Sequence, residues 1–298
     1  MNAQPTRKPK SRHAGAYLMI LPSYLIYFIF VFIPIVITLY LSLTNYDLYK
    51  TCKFVGFANY LRLVKDPVFL VAARNTFVYA IGVIIPQLII GLILAVLLNR
   101  KVIGQRLHRI AFYMPNVASM VSISMVWLWI YDPTLGLLNQ ALKGFGIPAH
   151  SWLFDLKLAL PCIIAVSLWK LVGYNMIIYL AGLQQIPEEL YEAATVDGAS
   201  AVRQFFTITI PMLKPTTFFL FVIACVQSFS VFDQVNVMTQ GGPMNATTTI
   251  VHQIFARAFS QFQMGYASAM AAILLIVSIS LTFTNFKYGN QGADLEAG

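Results

Sequence analysis

The sequence predicts an all-α fold, a polytopic membrane bundle of six transmembrane helices. Of its 298 residues, 58% are hydrophobic and 10% are charged, whereas soluble domains carry about 25% charged residues. The mean hydropathy is +0.71. So few charges cannot solvate an ordinary protein surface, and lipid must therefore cover much of the molecule.

Six apolar runs account for this composition. A helix of about 18 or more apolar residues can cross the ~30 Å hydrocarbon core of a bilayer. In chain order the predicted spans are 17–43, 77–98, 110–130, 158–183, 216–232 and 267–286. The first run exceeds the apolar part of a signal peptide and is predicted to be an uncleaved anchor. The chain thus divides into a tail (1–16), a six-helix transmembrane domain (17–286) and a second tail (287–298).

Basic residues predict the orientation of the bundle. Four precede the first span and four lie in the short loop after the second span: Arg7, Lys8, Lys10 and Arg12, then Arg100, Lys101, Arg106 and Arg109. By the positive-inside rule this places both termini in the cytoplasm, although the first outer loop has five basic residues of its own. The net charge of +9 does not indicate a nucleic-acid partner, because the basic residues form no continuous stripe.

Two outer segments carry apolar residues at helical spacing. Segment 60–71 precedes the second span, and segment 251–262 precedes the sixth. We predict that both are amphipathic helices lying in the membrane surface.

Several classes of function are excluded by what the sequence lacks. Cys52, Cys162 and Cys225 have no metal-ligand spacing and the four histidines are far apart, so no metal site is predicted. The spans hold no clustered Cys, His or paired carboxylates, so we do not expect an enzyme. Without a G-x-x-x-x-G-K-[ST] segment the chain cannot cradle a nucleotide by itself, and no cofactor is expected.

The loop between the fourth and fifth spans has helix signals of its own. Pro187 suits the first position of a helix, and Glu188 in the first turn favours the positive end of the helix dipole. Gly198 is placed to end this helix in a left-handed cap, and a second helix, about 199–208, is expected to stop before Pro211. Such an acidic helix–turn–helix is either a docking element for a soluble partner or a solvated connector.

Motifs in this loop and elsewhere match a known family in residue type and spacing. The loop, 184–214, contains Glu192-Ala193-Ala194, Asp197-Gly198-Ala199 and Ile210-Pro211. Further motifs are Asn59-Tyr60, Asn75-Thr76, Tyr113-Met114-Pro115 and Gly241-Gly242-Pro243. The loop resembles the EAA loop of binding-protein-dependent ABC importer permeases. The chain as a whole is similar to the carbohydrate permeases of the MalF/UgpA type.

This resemblance implies the type I ABC importer permease fold and import of a sugar across the bacterial inner (cytoplasmic) membrane. In such permeases the EAA loop couples the pore to an ATPase, and the corresponding residues here are Glu192, Ala193, Ala194, Asp197 and Gly198. The chain would form half of a pore that a second homologous permease completes. The other implied partners are two cytoplasmic ATPase subunits, which bind the ATP, and an extracytoplasmic solute-binding protein.

Polar residues inside the spans are candidates for the solute pathway. Lys170 lies in the middle of the fourth span, where a charge costs at least ~2.5 kcal/mol and faces the bundle interior or a wet cavity. Ser167 and Tyr174 share its helix face. In and just after the fifth span Gln227, Ser230 and Gln234 repeat the spacing of these three residues, with Ser228 and Asp233 nearby. Of these, Gln227, Ser228 and Ser230 are candidates for the solute pathway. The alternative is that these groups hydrogen-bond one helix to another.

An ion-coupled secondary transporter of a small polar solute is the alternative function. Proton relays in such transporters are usually acids within the membrane, and inverted repeats are common in their folds. The predicted spans contain no Asp or Glu, and we find no inverted repeat. The ATP-coupled importer is therefore the favoured prediction.

Overall fold

Helices make up the fold in the computed structural model, which describes residues 12–49, 52–100 and 103–289. Most of the two predicted tails, 1–16 and 287–298, lies outside the described residues. Within these ranges the only β-type pairing is an isolated antiparallel bridge between Thr44 and Phe54. The described part of the chain thus agrees with the predicted all-α fold.

The helices are numbered in chain order. The first, α1, consists of Arg12–Tyr27, a π-helical turn at Phe28–Phe32, and Ile33–Ser42. The others are α2 (Ala58–Lys65), α3 (Pro67–Asn99), α4 (Gln105–Val117), α5 (Met120–Ile130), α6 (Leu137–Gly144), α7 (Ala159–Leu183), α8 (Glu188–Val196), α9 (Ala201–Gln204), α10 (Lys214–Phe229), α11 (Asp233–Met238), α12 (Ile250–Phe255) and α13 (Met264–Gly289). Further π-helical turns, Phe205–Thr209 and Ala256–Ser260, follow α9 and α12.

Five of the predicted spans form segments that are long and apolar enough to cross a membrane: α1, α3, α7, α10 with α11, and α13. The second begins at Pro67 rather than at residue 77, because the Asp66 carboxylate accepts the N–H of Val68 at 2.9 Å and caps α3. The single surface helix predicted at 60–71 is therefore wrong. Asp66 divides that segment between α2 and the start of α3.

The third predicted span, 110–130, is a broken pair of helices rather than the single helix that we predicted. α4 and α5 meet at an angle of 101°. The two residues between them, Ala118 and Ser119, have extended backbones. Pro115 lies in the last turn of α4, where its missing N–H leaves the Ala111 carbonyl without a helical partner and weakens the helix before the break.

α3 and α7 form the centre of the bundle. Gly91 of α3 lies so close to α7 that a Cβ there would come within 2.6 Å of the Cβ of Asn175. Tyr79 and Ile163 belong to one buried apolar cluster between the helices, and a second cluster lies nearer their C-terminal ends. The far side of α3 leaves its large apolar side chains about half exposed, namely Ile85, Ile89 and Ile93. Such a surface fits lipid or another protein chain.

A polar cluster joins α2, α3, α12 and α13 at the end of the bundle where α3 begins. The Asp66 carboxylate accepts hydrogen bonds from Arg257 at 3.1 Å and from the Tyr266 hydroxyl at 2.7 Å. Burial alone would raise the pKa of Asp66, but these bonds, the Val68 N–H and the Arg257 charge outweigh it, and the pKa is lowered. The helix predicted at 251–262 is formed by α12 and the π-helical turn that follows it.

Candidate functional site

The predicted helix–turn–helix between the fourth and fifth spans is formed, and we call it the hairpin (residues 187–212). α8 begins directly after Pro187. It ends where Gly198 takes a left-handed backbone with φ of +76°. The N–H of Gly198 donates to the Thr195 carbonyl at 3.0 Å and the N–H of Ala199 to the Ala194 carbonyl at 2.8 Å. This is the cap that the sequence predicts, and it satisfies carbonyls at the helix end.

The second arm of the hairpin is longer than predicted. We expected it to stop before Pro211, but the chain remains helical through the π-helical turn Phe205–Thr209 and on to Met212. Pro211 lies in the first turn after the π-helical segment, where the altered register tolerates a residue without an N–H. The two arms are tied by the Gln204 amide, which donates to the Thr195 hydroxyl at 3.0 Å.

The coupling residues predicted from the resemblance lie on the free surface of the hairpin. Glu192, Ala193, Asp197 and Gly198 are exposed, and Ala194 is half-buried. The hairpin also carries apolar side chains with most of their surface exposed: Val196 (88%), Val202 (68%) and Phe206 (63%). The hairpin therefore presents both carboxylates and apolar groups to whatever lies outside the chain.

The base of the hairpin is anchored in the bundle. Tyr191 of α8 hydrogen-bonds Thr209 of the second arm at 2.9 Å. The Tyr191 ring packs against the buried cluster that contains Leu183 of α7 and Leu213. Leu213 is buried and directly precedes α10. The base of the hairpin therefore packs against α7 and against the residue that leads into α10.

A polar cavity of about 370 Å³ lies between α3, α7, α10 and the break of the third span. Five of the six residues predicted for the solute pathway line it: Ser167, Lys170, Gln227, Ser228 and Ser230. Tyr174 does not line it and packs instead against the cluster nearer the hairpin. Tyr79 and Asn116, which the sequence did not single out, also line the cavity, as do Asp233 and Gln234, which the sequence placed beside the fifth-span candidates.

Three side chains close one wall of the cavity. The Gln234 amide donates to the Tyr79 hydroxyl at 2.7 Å and to the Ser167 hydroxyl at 3.2 Å. The Tyr79 hydroxyl donates to Ser167 at 2.9 Å. All three are nearly fully buried, so this network joins α3, α7 and α11.

Lys170 holds the break in the third span. Its ammonium donates to the carbonyls of Pro115 at 3.3 Å and Asn116 at 3.0 Å, and also to the carbonyl of Ala118. These carbonyls belong to the end of α4, where no helical partner remains. Because a lysine ammonium has three donors, all of them are used here.

Gly173, one turn further along α7, brings the two helices together. A Cβ at Gly173 would lie 1.9 Å from the Phe112 carbonyl oxygen of α4. Only a residue without a side chain permits this approach. The broken span is therefore held against α7 at two successive turns.

The sequence profile of the family described as a binding-protein-dependent transport system inner membrane component matches residues 87–289. This is more than half of the chain, and it includes the hairpin and all of the cavity-lining residues except Tyr79. The chain belongs to this family of ABC importer permeases. As a permease it is an integral membrane protein that moves solute and is not itself an enzyme.

Relatives and solved structures resemble this permease over almost its whole length. A probable ABC transporter permease, YurN of Bacillus subtilis, is 38% identical, and the match covers 93% of this chain and 97% of that protein. The sn-glycerol-3-phosphate transport system permease protein UgpA of Agrobacterium fabrum is 33% identical over 91% and 93%. A bacterial ABC transporter involved in the import of the acidic polysaccharide alginate superposes with a TM-score of 0.84, at 22% identity and coverage of 94% and 96%. That structure supports the predicted importer fold.

One observation against an ion-coupled transporter needs correction. We predicted that the spans contain no acid, but Asp233 begins α11, within the fifth membrane-spanning segment Lys214–Met238, and lines the cavity. The family assignment nevertheless favours the permease function. Among the described residues, no group of three His, Cys, Asp or Glu side chains has metal-binding geometry.

Proposed function

We propose that this permease forms half of the pore of an ATP-driven sugar importer. The proposal rests on one arrangement: α7 and α10 both line the polar cavity and carry the exposed acidic hairpin at their ends. The same two helices thereby connect the solute cavity to the hairpin that would dock on the ATPase. An importer that couples ATP hydrolysis to transport needs this connection.

The chemistry of the cavity suits a sugar. Sugars present many hydroxyl groups and flat apolar faces, which amides, hydroxyls and aromatic rings can bind. Gln227 and Ser230 supply the polar groups, while Phe232 supplies a ring. Relatives named for sn-glycerol 3-phosphate and alginate support a polyhydroxylated solute.

The hairpin is the proposed contact with the ATPase. Glu192 and Asp197 offer charge-assisted hydrogen bonds to basic groups of a partner. Ala193 and Ala194 permit close seating because their side chains are small. Gly198 sets the turn that displays these residues, and the exposed Val196 beside it adds an apolar contact.

The remaining assembly follows from this assignment. The hairpin end of the bundle and both termini face the cytoplasm, where two ATPase subunits bind ATP. A second, homologous permease completes the pore. A solute-binding protein delivers the sugar from outside the bacterial cell membrane, in keeping with the alginate transporter, which has been crystallised with its periplasmic protein bound.

A pair of matched variants tests the coupling role of the hairpin. Gly198 and Gly146 both have left-handed backbones, with φ of +76° and +74°, and neither would bring a Cβ within 4 Å of another group. A valine at either position therefore carries backbone strain of roughly 1–2 kcal/mol, and its Cβ meets no other group at either position. We expect both variants to reach the membrane, but only Gly198→Val to lose coupled transport.

The measurement uses the purified complex in proteoliposomes with its binding protein. It records the ATPase rate and the uptake of radiolabelled mono- and disaccharides. We expect Gly198→Val to lose about tenfold or more of the solute-stimulated rate, whereas Gly146→Val keeps it. Equal rates in both variants would remove the hairpin from the coupling mechanism. Uptake driven by an ion gradient without ATP would contradict the importer itself.

A further inference from the structure

Two charged side chains line the cavity among the described residues, and they differ in what they can offer a solute. Lys170 is half-buried and gives its three donors to three backbone carbonyls. Asp233 is exposed at the cavity wall. The Lys170 ammonium is therefore occupied by backbone carbonyls, whereas the Asp233 carboxylate is available to interact with a solute.

Lys170 is a poor ligand for an anion. A phosphate or carboxylate is bound by donors with free hydrogens, and this ammonium has none left. Turning it towards a solute would leave the carbonyls of Pro115, Asn116 and Ala118 without partners at a helix end, which is costly inside a membrane. The negative ends of these carbonyl dipoles also offset the positive field of the ammonium. Lys170 acts as a positioning residue for the broken span.

Asp233 acts against an anion directly. Its carboxylate shares the cavity with neutral donors, Gln227, Ser228 and Ser230. In a space of about 370 Å³, a bound anion would lie within several ångströms of this carboxylate, and like charges at that distance repel. The neutral side chains of Gln227, Ser228 and Ser230 can hydrogen-bond the hydroxyl groups of any sugar, whether or not that sugar is charged. They therefore do not select for or against an anion.

We infer that this permease accepts uncharged or positively charged sugars in its cavity and excludes anionic ones. The inference rests on the proposed function, since it names the class of sugar for the same cavity. It separates this chain from the relatives named for sn-glycerol 3-phosphate and for the acidic polysaccharide alginate. The features of this chain that carry the inference are the occupied ammonium of Lys170 and the available carboxylate of Asp233.

The test compares solutes that differ only in charge. Because a binding protein would select solutes before they reach the pore, binding is measured on the purified permease complex without it, by equilibrium titration of detergent-solubilised protein. The probes are glucose, glucuronate and glucosamine. We expect glucose and glucosamine to bind at least about tenfold more tightly than glucuronate.

Variants of Asp233 in the cavity and of Asp132 outside it test whether the cavity carboxylate causes the preference against glucuronate. Asp233→Asn should bring glucuronate close to glucose in affinity. The control Asp132→Asn removes a carboxylate that caps its own loop near the N–H groups of Thr134 and Leu135, outside the cavity lining, and it should leave the preference unchanged. A glucuronate affinity equal to or above that of glucose in the unmodified complex would overturn the inference while sugar import stands. Failure of all three probes and of a panel of neutral disaccharides to bind would overturn the proposed sugar function as well.

Discussion

Replacing Gly173 by alanine tests how the broken span is held. The added Cβ would lie 1.9 Å from the Phe112 carbonyl oxygen and 2.6 Å from its carbon. These are backbone atoms, so no side-chain rotation relieves the contact. To reach a separation of 3.0 Å, α4 must retreat from α7 by 1.1 Å, the difference between 3.0 and 1.9 Å.

The cost of this retreat includes the hydrogen bonds of Lys170. Its bond of 3.0 Å to the Asn116 carbonyl would lengthen towards about 4 Å, beyond hydrogen-bonding distance. A lost bond to a charged donor costs about 1.5–3 kcal/mol, and overpacking adds about 1–3 kcal/mol. We therefore expect Gly173→Ala to destabilise the folded protein by about 3 kcal/mol or more.

Gly82→Ala is the matched control. It also places a methyl group between α3 and α7, but the nearest atom is the Cδ1 of Ile164 at 2.9 Å. A flexible side-chain end can rotate away, so the expected cost is below about 1 kcal/mol.

The unfolding midpoint of each detergent-solubilised variant and its coupled uptake provide the comparison. Gly173→Ala should unfold at a clearly lower temperature than Gly82→Ala and should lose transport. Equal midpoints and equal uptake in the two variants would refute the close packing of α4 on α7 that the structure shows.

Two further predictions concern Lys170 and the segment that precedes α13. Lys170→Met should lower the maximal uptake rate and leave the KM for a neutral sugar nearly unchanged, because the ammonium holds the span and not the solute; a raised KM alone would contradict this. Burial lowers the pKa of His252 below its usual value of 6.5. As the pH falls, the unfolded segment therefore binds the proton before the folded one does. The local free energy of unfolding then decreases below about pH 6.5, by at most ~1.4 kcal/mol per pH unit. Amide exchange at 241–252, corrected for the intrinsic rate, should therefore accelerate from about pH 7.5 to about pH 5.5, and a His252→Gln variant that accelerates equally would exclude this histidine as the cause.

The hairpin could be predicted from the sequence because its signals are local. Pro187 and Gly198 act through their own backbone preferences, and neither depends on a distant residue. The start of α3 also had a local signal, an Asp66 cap followed by Pro67. The apolar run used to define the span begins later, and we therefore placed the boundary at residue 77.

The break in the third span could not be predicted in the same way. Pro115 alone permits a kink, and prolines also occur in membrane helices that continue past them. What keeps the pair at 101° is a lysine and a glycine on α7, more than fifty positions along the chain from α4. Lys170 stands out in the sequence by its charge. Its partners are backbone carbonyls, which every residue has, so the sequence does not indicate which carbonyls it binds.

The occupied ammonium also constrains how this chain can diverge. Replacing Lys170 alone leaves three backbone carbonyls in the membrane without hydrogen-bond donors. Straightening residues 115–118 alone leaves the Lys170 ammonium without acceptors. Either change alone leaves polar groups without partners inside the membrane, so natural variants should exchange the two features together. A lineage that keeps one without the other would need a new donor or a new acceptor at the same place.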